Sequence, residues 1–184
     1  TVMDTVLDYY ESHGSRTEKM MANYMMGCVH RDRGNSPIAL AYYRKATEYA
    51  DTTDMDNVKT LSRIYGQIAE IFNKQRVPQL ELKAEWEAVR LALEAKDTIT
   101  AINYYAYLAG AYHMMGKMDF ALMINKIAFH DYIKMGRRDL AAGILPLSID
   151  IYLRQKKFKE ANKIMNIFEQ ESGMFSNGEI SSGH

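Results

Sequence analysis

The chain has 184 residues, long enough to bury one continuous core, and 23 basic side chains balance 23 acidic ones. A net charge of zero argues against a generic nucleic-acid surface, and the single cysteine, Cys28, excludes an internal disulfide. No apolar run approaches the roughly 20 residues that span a bilayer, and no signal-peptide pattern opens the chain.

With only 3 prolines, abundant Ala, Leu, Met, Lys and Glu, and no alternating β-branched run, the chain is expected to be all helix. Residues 2–12 read as an amphipathic helix without a cap, resembling the second helix of a pair whose first is missing. The chain is therefore expected to be a fragment of a longer protein. Ser15-Arg16-Thr17-Glu18 is a capping box opening a helix to about Arg33. Ser36-Pro37 starts the next, whose apolar stripe is Ile38, Ala39, Tyr42, Tyr43, Ala46, Tyr49 and Ala50. After the 51–54 linker, a long helix runs to about Lys74. Another passes through Trp86 to Ala95. Asp97-Thr98 caps the following helix, and Lys117 to about Met135 forms its partner. Asp139–Gln155 is expected to kink at Pro146. The last helix, Phe158–Glu171, is expected to stop at Gly173, leaving 173–184 as a flexible tail or truncated linker.

These helices repeat in pairs. Tyr24-Met25-Met26-Gly27, His30, Gly34, Ala39, Tyr43 and Ala46 match Tyr105-Ala106-Tyr107-Leu108-Ala109, Tyr112, Gly116, Ala121, Asn125 and Ala128 position by position. Weaker copies run from Tyr65 through Ala69 and Phe72 to Ala88, and from Leu145 through Ile149 and Tyr152 to Phe168. The small-residue slots Gly27, Ala69, Ala109 and Ile149 are 42, 40 and 40 residues apart. Small residues allow a partner helix to approach, Tyr43, Phe72, Tyr112 and Tyr152 fill the gaps, and Gly34 and Gly116 mark turns. A unit repeated at this period is a solenoid.

The arrangement resembles the tetratricopeptide repeat (TPR) superfamily over about residues 20–172. The best copies are Gly34-Asn35-Ser36-Pro37-Ile38-Ala39-Leu40-Ala41-Tyr42-Tyr43-Arg44-Lys45-Ala46 and Gly116-Lys117-Met118-Asp119-Phe120-Ala121-Leu122. The period near 40 exceeds the family's usual ~34. It is similar to the lengthened repeats of peptide-sensing bacterial regulators and motor-protein light chains. Glu81 and Ile149 depart from the pattern by filling small-residue slots. The resemblance implies an all-α, right-handed TPR-like superhelix (α-solenoid) of antiparallel helix pairs. It would span 1–172, with an orphan helix 2–12 and repeats about 15–51, 54–96, 97–136 and 137–172.

The sequence holds no catalytic or metal-ligand constellation. His13, His30, His113, His130 and His184 are scattered, Cys28 has no His–Asp partner pattern, and no glycine run cradles phosphate. Glu81, Glu85 and Glu87 read as a solvated face. Met20, Met21, Met25 and Met26 read first as core filling and secondly as an adaptable surface. The basic run from Arg154 to Lys159 reads as a solvated turn.

What the resemblance implies functionally is a ligand along the free faces of the first helices. Those faces carry Tyr24, Cys28 and Arg31; Arg63, Gln67, Glu70 and Asn73; Asn103, Tyr107 and His113; and Asp150 and Arg154. The expected function is a protein- or peptide-binding module, not an enzyme, with no cofactor and no direct nucleic-acid contact. It would be the sensor part of a larger bacterial regulatory protein. The alternative is a structural, self-associating scaffold segment, a homo-oligomer through its terminal helices. The compartment stays open between cytoplasmic and extracytoplasmic.

Overall fold

The computed structural model describes residues 1–181, which form nine helices and no strand. These are α1 (Val2–His13), α2 (Arg16–Asp32), α3 (Ser36–Tyr49), α4 (Met55–Lys74), α5 (Pro78–Glu94), α6 (Thr98–Met114), α7 (Met118–Lys134), α8 (Arg138–Arg154) and α9 (Phe158–Ser181).

The helix boundaries follow local chemistry. Ser15 and Glu18 form the expected box: Ser15 Oγ accepts from the Glu18 amide at 3.2 Å, and Glu18 Oε2 accepts from the Ser15 amide at 2.7 Å. Pro37 and Pro78 occupy the first turns of α3 and α5, where a missing N–H is harmless. Six of the eight turns among the described helices share one geometry. Gly34, Arg76, Lys96, Gly116, Gly136 and Lys156 all have positive φ, between 56° and 77°. At each, two amides return to the last turn of the preceding helix, as in Arg76 N to Asn73 O and Val77 N to Phe72 O, both 3.0 Å. From Arg76 onward these residues recur every 20 positions, at 76, 96, 116, 136 and 156. Two such steps make the 40-residue period.

Two sequence expectations change. The first helix is capped: Thr1 and Asp4 form a reciprocal box, because a threonine immediately before a first-turn acid supplies both halves. Pro146, where the kink is expected, lies inside α8, which is continuous from Arg138 to Arg154. α9 continues past Gly173 to Ser181, since a glycine inside a helix costs only about 1 kcal/mol relative to alanine. The remainder of the expected tail, 182–184 with His184, lies outside the described residues.

The chain divides into two compact units at Tyr104/Tyr105. In the first, α2 pairs with α3 and α4 with α5, while α1 lies on α2. The pairs are antiparallel. Arg16, at the start of α2, donates to Glu48 O near the end of α3 at 2.7 Å, and Asn73 at the end of α4 meets Glu81 at the start of α5. The core joins Met20, Ala39, Tyr43 and Ala46 to Ile64, Ile68, Ala69, Ile71, Phe72 and Ala84. Small residues make that closeness feasible. Gly27 lies directly under the Tyr43 ring, and Ala39, Ala46 and Ala69 are fully buried.

In the second unit, α8 packs against α7 and α9. Buried Asn125 on α7 donates to Ile144 O at 2.8 Å and Ser148 Oγ at 2.7 Å on α8. Arg138 forks onto Glu171 at 2.8 and 2.9 Å. The Tyr112 and Phe120 rings stack 5.4 Å apart.

Candidate functional site

In the first unit the expected contact residues of α2 and α4 are linked through Arg31 and Gln67. Tyr24, Cys28 and Arg31 follow one another at helical spacing on α2, as do Arg63 and Gln67 on α4. The Tyr24 ring stands 5.9 Å from that of Tyr43, which rises from α3 beneath it. Tyr43 Oη donates to Cys28 Sγ at 3.5 Å. Arg31 Nη1 donates to Gln67 Oε1, tying α2 to α4, and Arg31 Nε donates to Asp32 Oδ1 at 2.9 Å. Arg63 is exposed and makes no hydrogen bond or ion pair with any described residue.

The electrostatics agree with this placement. Burial pushes the Tyr24 phenol up, Cys28 adds to the shift, and the Arg31 and Arg63 charges pull it back. Tyr43 is held well above the usual phenol range by burial and by its bond to Cys28. The patch therefore joins aromatic surface to one paired and one unpaired guanidinium.

Other expected residues are engaged elsewhere or belong to the second unit. Glu70 pairs with Lys74 at 2.8 Å. Asn73 Nδ2 donates to Glu81 Oε1 at 3.0 Å, so this amide serves the fold. Asn103 is half-buried near the end of the first unit. In the second unit, Arg154 Nε donates to Asp150 Oδ2 at 2.8 Å, and His113 Nε2 lies 3.7 Å from the same oxygen. Tyr107 is 62% exposed. Among the described residues, no group of three or more His, Cys, Asp and Glu side chains is placed to hold a metal ion. None of their helices is long and apolar enough to cross a membrane.

The carboxylates of α5 overturn the solvated-face reading. Glu81 and Glu85 are 2% and 4% exposed, while Glu87 turns outward to Arg90 at 2.6 Å. The reason lies in the stripe Glu81, Glu85, Ala88, Ala92, whose i, i+4, i+7, i+11 spacing is that of a core face. That spacing could have flagged both glutamates. The seat of Tyr104, by contrast, has no sequence signal. Its hydroxyl lies 2.6 Å from where a Cβ on Gly66 would stand, and it donates to Ser62 O at 3.4 Å.

No family model and no curated protein matches the chain. Solved structures do. Aspartyl phosphate phosphatase F from Bacillus subtilis is 13% identical, with a TM-score of 0.79 over 95% of this chain and 45% of its own. BtubC from P. vanneervenii is 12% identical, with a TM-score of 0.79 over 95% and 72%. A Podosopora anserina kinesin light chain protein with nearly identical TPR-like repeats is 10% identical, with a TM-score of 0.75 over 95% and 85%. This chain spans less than half the length of the Bacillus protein. At such identities the likeness is one of fold: the protein is an all-α TPR-like solenoid.

Proposed function

We propose that this protein is a protein- or peptide-binding module whose ligand lies along the first helices of its pairs, with the α2–α4 patch as principal contact. The observation that carries this reading is the placement of Tyr24, Cys28, Arg31, Arg63 and Gln67 on α2 and α4, with Arg31 tied to Gln67 and the unpaired Arg63 charge felt by the Tyr24 phenol. Aromatic and arginine side chains are the residues that dominate recognition energies. An unpaired guanidinium favours a ligand that carries a carboxylate or phosphate, which it can grip through two parallel hydrogen bonds. The preferred ligand is thus an extended acidic segment with an apolar or aromatic side chain to set against Tyr24. Within the second unit, taken by itself, exposed Tyr107 is a candidate contact of its own and His113, Asp150 and Arg154 are weaker ones; Asn103 is a weaker one in the first unit. The module acts without chemistry of its own.

The proposed setting, the sensor part of a larger bacterial regulatory protein, is an analogy of fold with a longer Bacillus protein. A peptide array spanning acidic, neutral and basic sequences tests the reading. Acidic peptides are expected to bind the wild type and to lose binding to Arg63→Ala and Tyr24→Ala, with helicity unchanged. Binding indifferent to both substitutions would overturn it.

One observation favours the alternative, a self-associating scaffold. Met3, Val6, Tyr10, Met21 and Met25 line an apolar cleft of about 240 Å³ between α1 and α2. Concentration-dependent sedimentation abolished by Val6→Glu would favour that reading; a concentration-independent monomer would remove it.

A further inference from the structure

Glu81 and Glu85 stand one turn apart on α5, with their side chains in the protein interior. Like charges at this spacing repel even on a hydrated helix, and burial strips away the water that would screen them. Only one of their four oxygens has a recorded partner, Glu81 Oε1, which accepts from Asn73. Glu81 Oε2 and Glu85 Oε2 are enclosed and unpartnered.

The surroundings offer no counter-charge. From α4 come neutral Asn73 and Ser62, the latter donating to Ala88 O at 2.7 Å on α5. The charged residues of that part of α4, Arg63, Glu70 and Lys74, are exposed, and the last two pair with each other. On α5, Lys83 is exposed and Glu87 is held by Arg90. The part of α6 in this unit, Thr98–Tyr104, carries no charged side chain, and its titratable group is Tyr104. Tyr104 feels the charge of Glu85, and burial followed by that charge pushes its phenol up to about 12. Its ring occupies the notch at Gly66, and its hydroxyl reaches Ser62, the residue that also ties α4 to α5. Glu85, Tyr104 and the Ser62–Gly66 segment of α4 therefore form one small junction of three helices.

We propose that this junction is a proton-operated latch: a neutral Glu85 carboxyl lets α5 and the start of α6 close on α4, and its ionisation loosens the seat of Tyr104. Burial first, and the neighbouring Glu81 second, raise the Glu85 carboxyl from the ordinary 4.5 to about 8. The sign follows from linkage. A carboxyl with a raised folded value contributes its stabilisation fully below pH 4.5, and that contribution is lost as pH rises through about 8. The latch is closed at mildly acidic and neutral pH and opens on the alkaline side.

Amide hydrogen exchange on the full chain between pH 6 and pH 9, corrected for intrinsic base catalysis, tests the latch. Wild-type residues 78–92 and 98–104 should exchange faster at the alkaline end, by roughly tenfold for each pH unit that the opening follows. Fluorescence of the single tryptophan, Trp86, beside Glu85 on α5, should titrate with the same midpoint. Glu85→Gln, which keeps the shape and removes the charge, should abolish both effects. A wild type without the acceleration, or a Glu85→Gln protein that shows it equally, would overturn the proposal. Should Glu85→Gln fail to fold, Glu81→Gln decides: removing the like charge should move the wild-type midpoint to lower pH, and an unmoved midpoint would overturn it.

Discussion

Gly27 on α2 and Tyr43 on α3 are in such close contact that a Cβ on Gly27 would stand 2.5 Å from Tyr43 Cδ1. Tyr43 is fully buried, so its ring cannot move aside without disturbing the core. Gly27→Ala sets a helix-propensity gain of about 1 kcal/mol against an overpacking cost of about 1–3 kcal/mol. Overpacking should win, lowering stability by about 1 kcal/mol or more in urea denaturation. Gly143→Ala is the control, since its Cβ would meet nothing within 4 Å on α8, and there the propensity gain should stand alone. Equal effects at the two sites would refute the close-contact account.

The turns give a second prediction. Arg76, Lys96 and Lys156 adopt the left-handed conformation that glycine adopts at 34, 116 and 136. That conformation costs an ordinary L-residue about 1–2 kcal/mol. Each substitution to glycine should leave stability unchanged or raise it by up to about 1 kcal/mol, against the usual loss when glycine enters a helix. Gly136→Ala should lower it by a similar amount. Thermal unfolding of these variants checks the sign.

Asn125 supports a third. Its buried amide bridges Ile144 O and Ser148 Oγ across α7 and α8. Asn125→Ala removes both bonds and leaves the buried Ser148 hydroxyl without that partner, a loss of about 1–3 kcal/mol. Ser148→Ala removes one of the two and should cost less. A double-mutant cycle in denaturant should show coupling, and strictly additive losses would argue against the bridge.

What could be read from the residues alone divides along physical lines. The helices were legible because caps and apolar stripes are local: Ser15 with Glu18, and Pro37 at the start of α3, stand where the pattern puts them. The regular turns were half legible. Gly34 and Gly116 announce a positive φ, while Arg76, Lys96 and Lys156 adopt it silently, because packing and two amide bonds outweigh a modest strain. The candidate site was legible where i, i+4 spacing settles a face, as for Tyr24 with Cys28 and Arg63 with Gln67. It was not legible where a partner arrives from another helix. Asn73 shares the α4 face, yet Glu81 takes its amide. The burial of Glu81 and Glu85 was hidden by residue type, since carboxylates are rarely enclosed without a partner.

The proposed function places an acidic segment on the α2–α4 face. Isothermal titration of the full chain with the strongest acidic peptide from the array, run for the wild type and for Arg63→Ala, tests it most directly. Arg63→Ala should lose affinity about tenfold or more, equivalent to about 1.4 kcal/mol, with helicity unchanged. Equal affinities for the two proteins would contradict it.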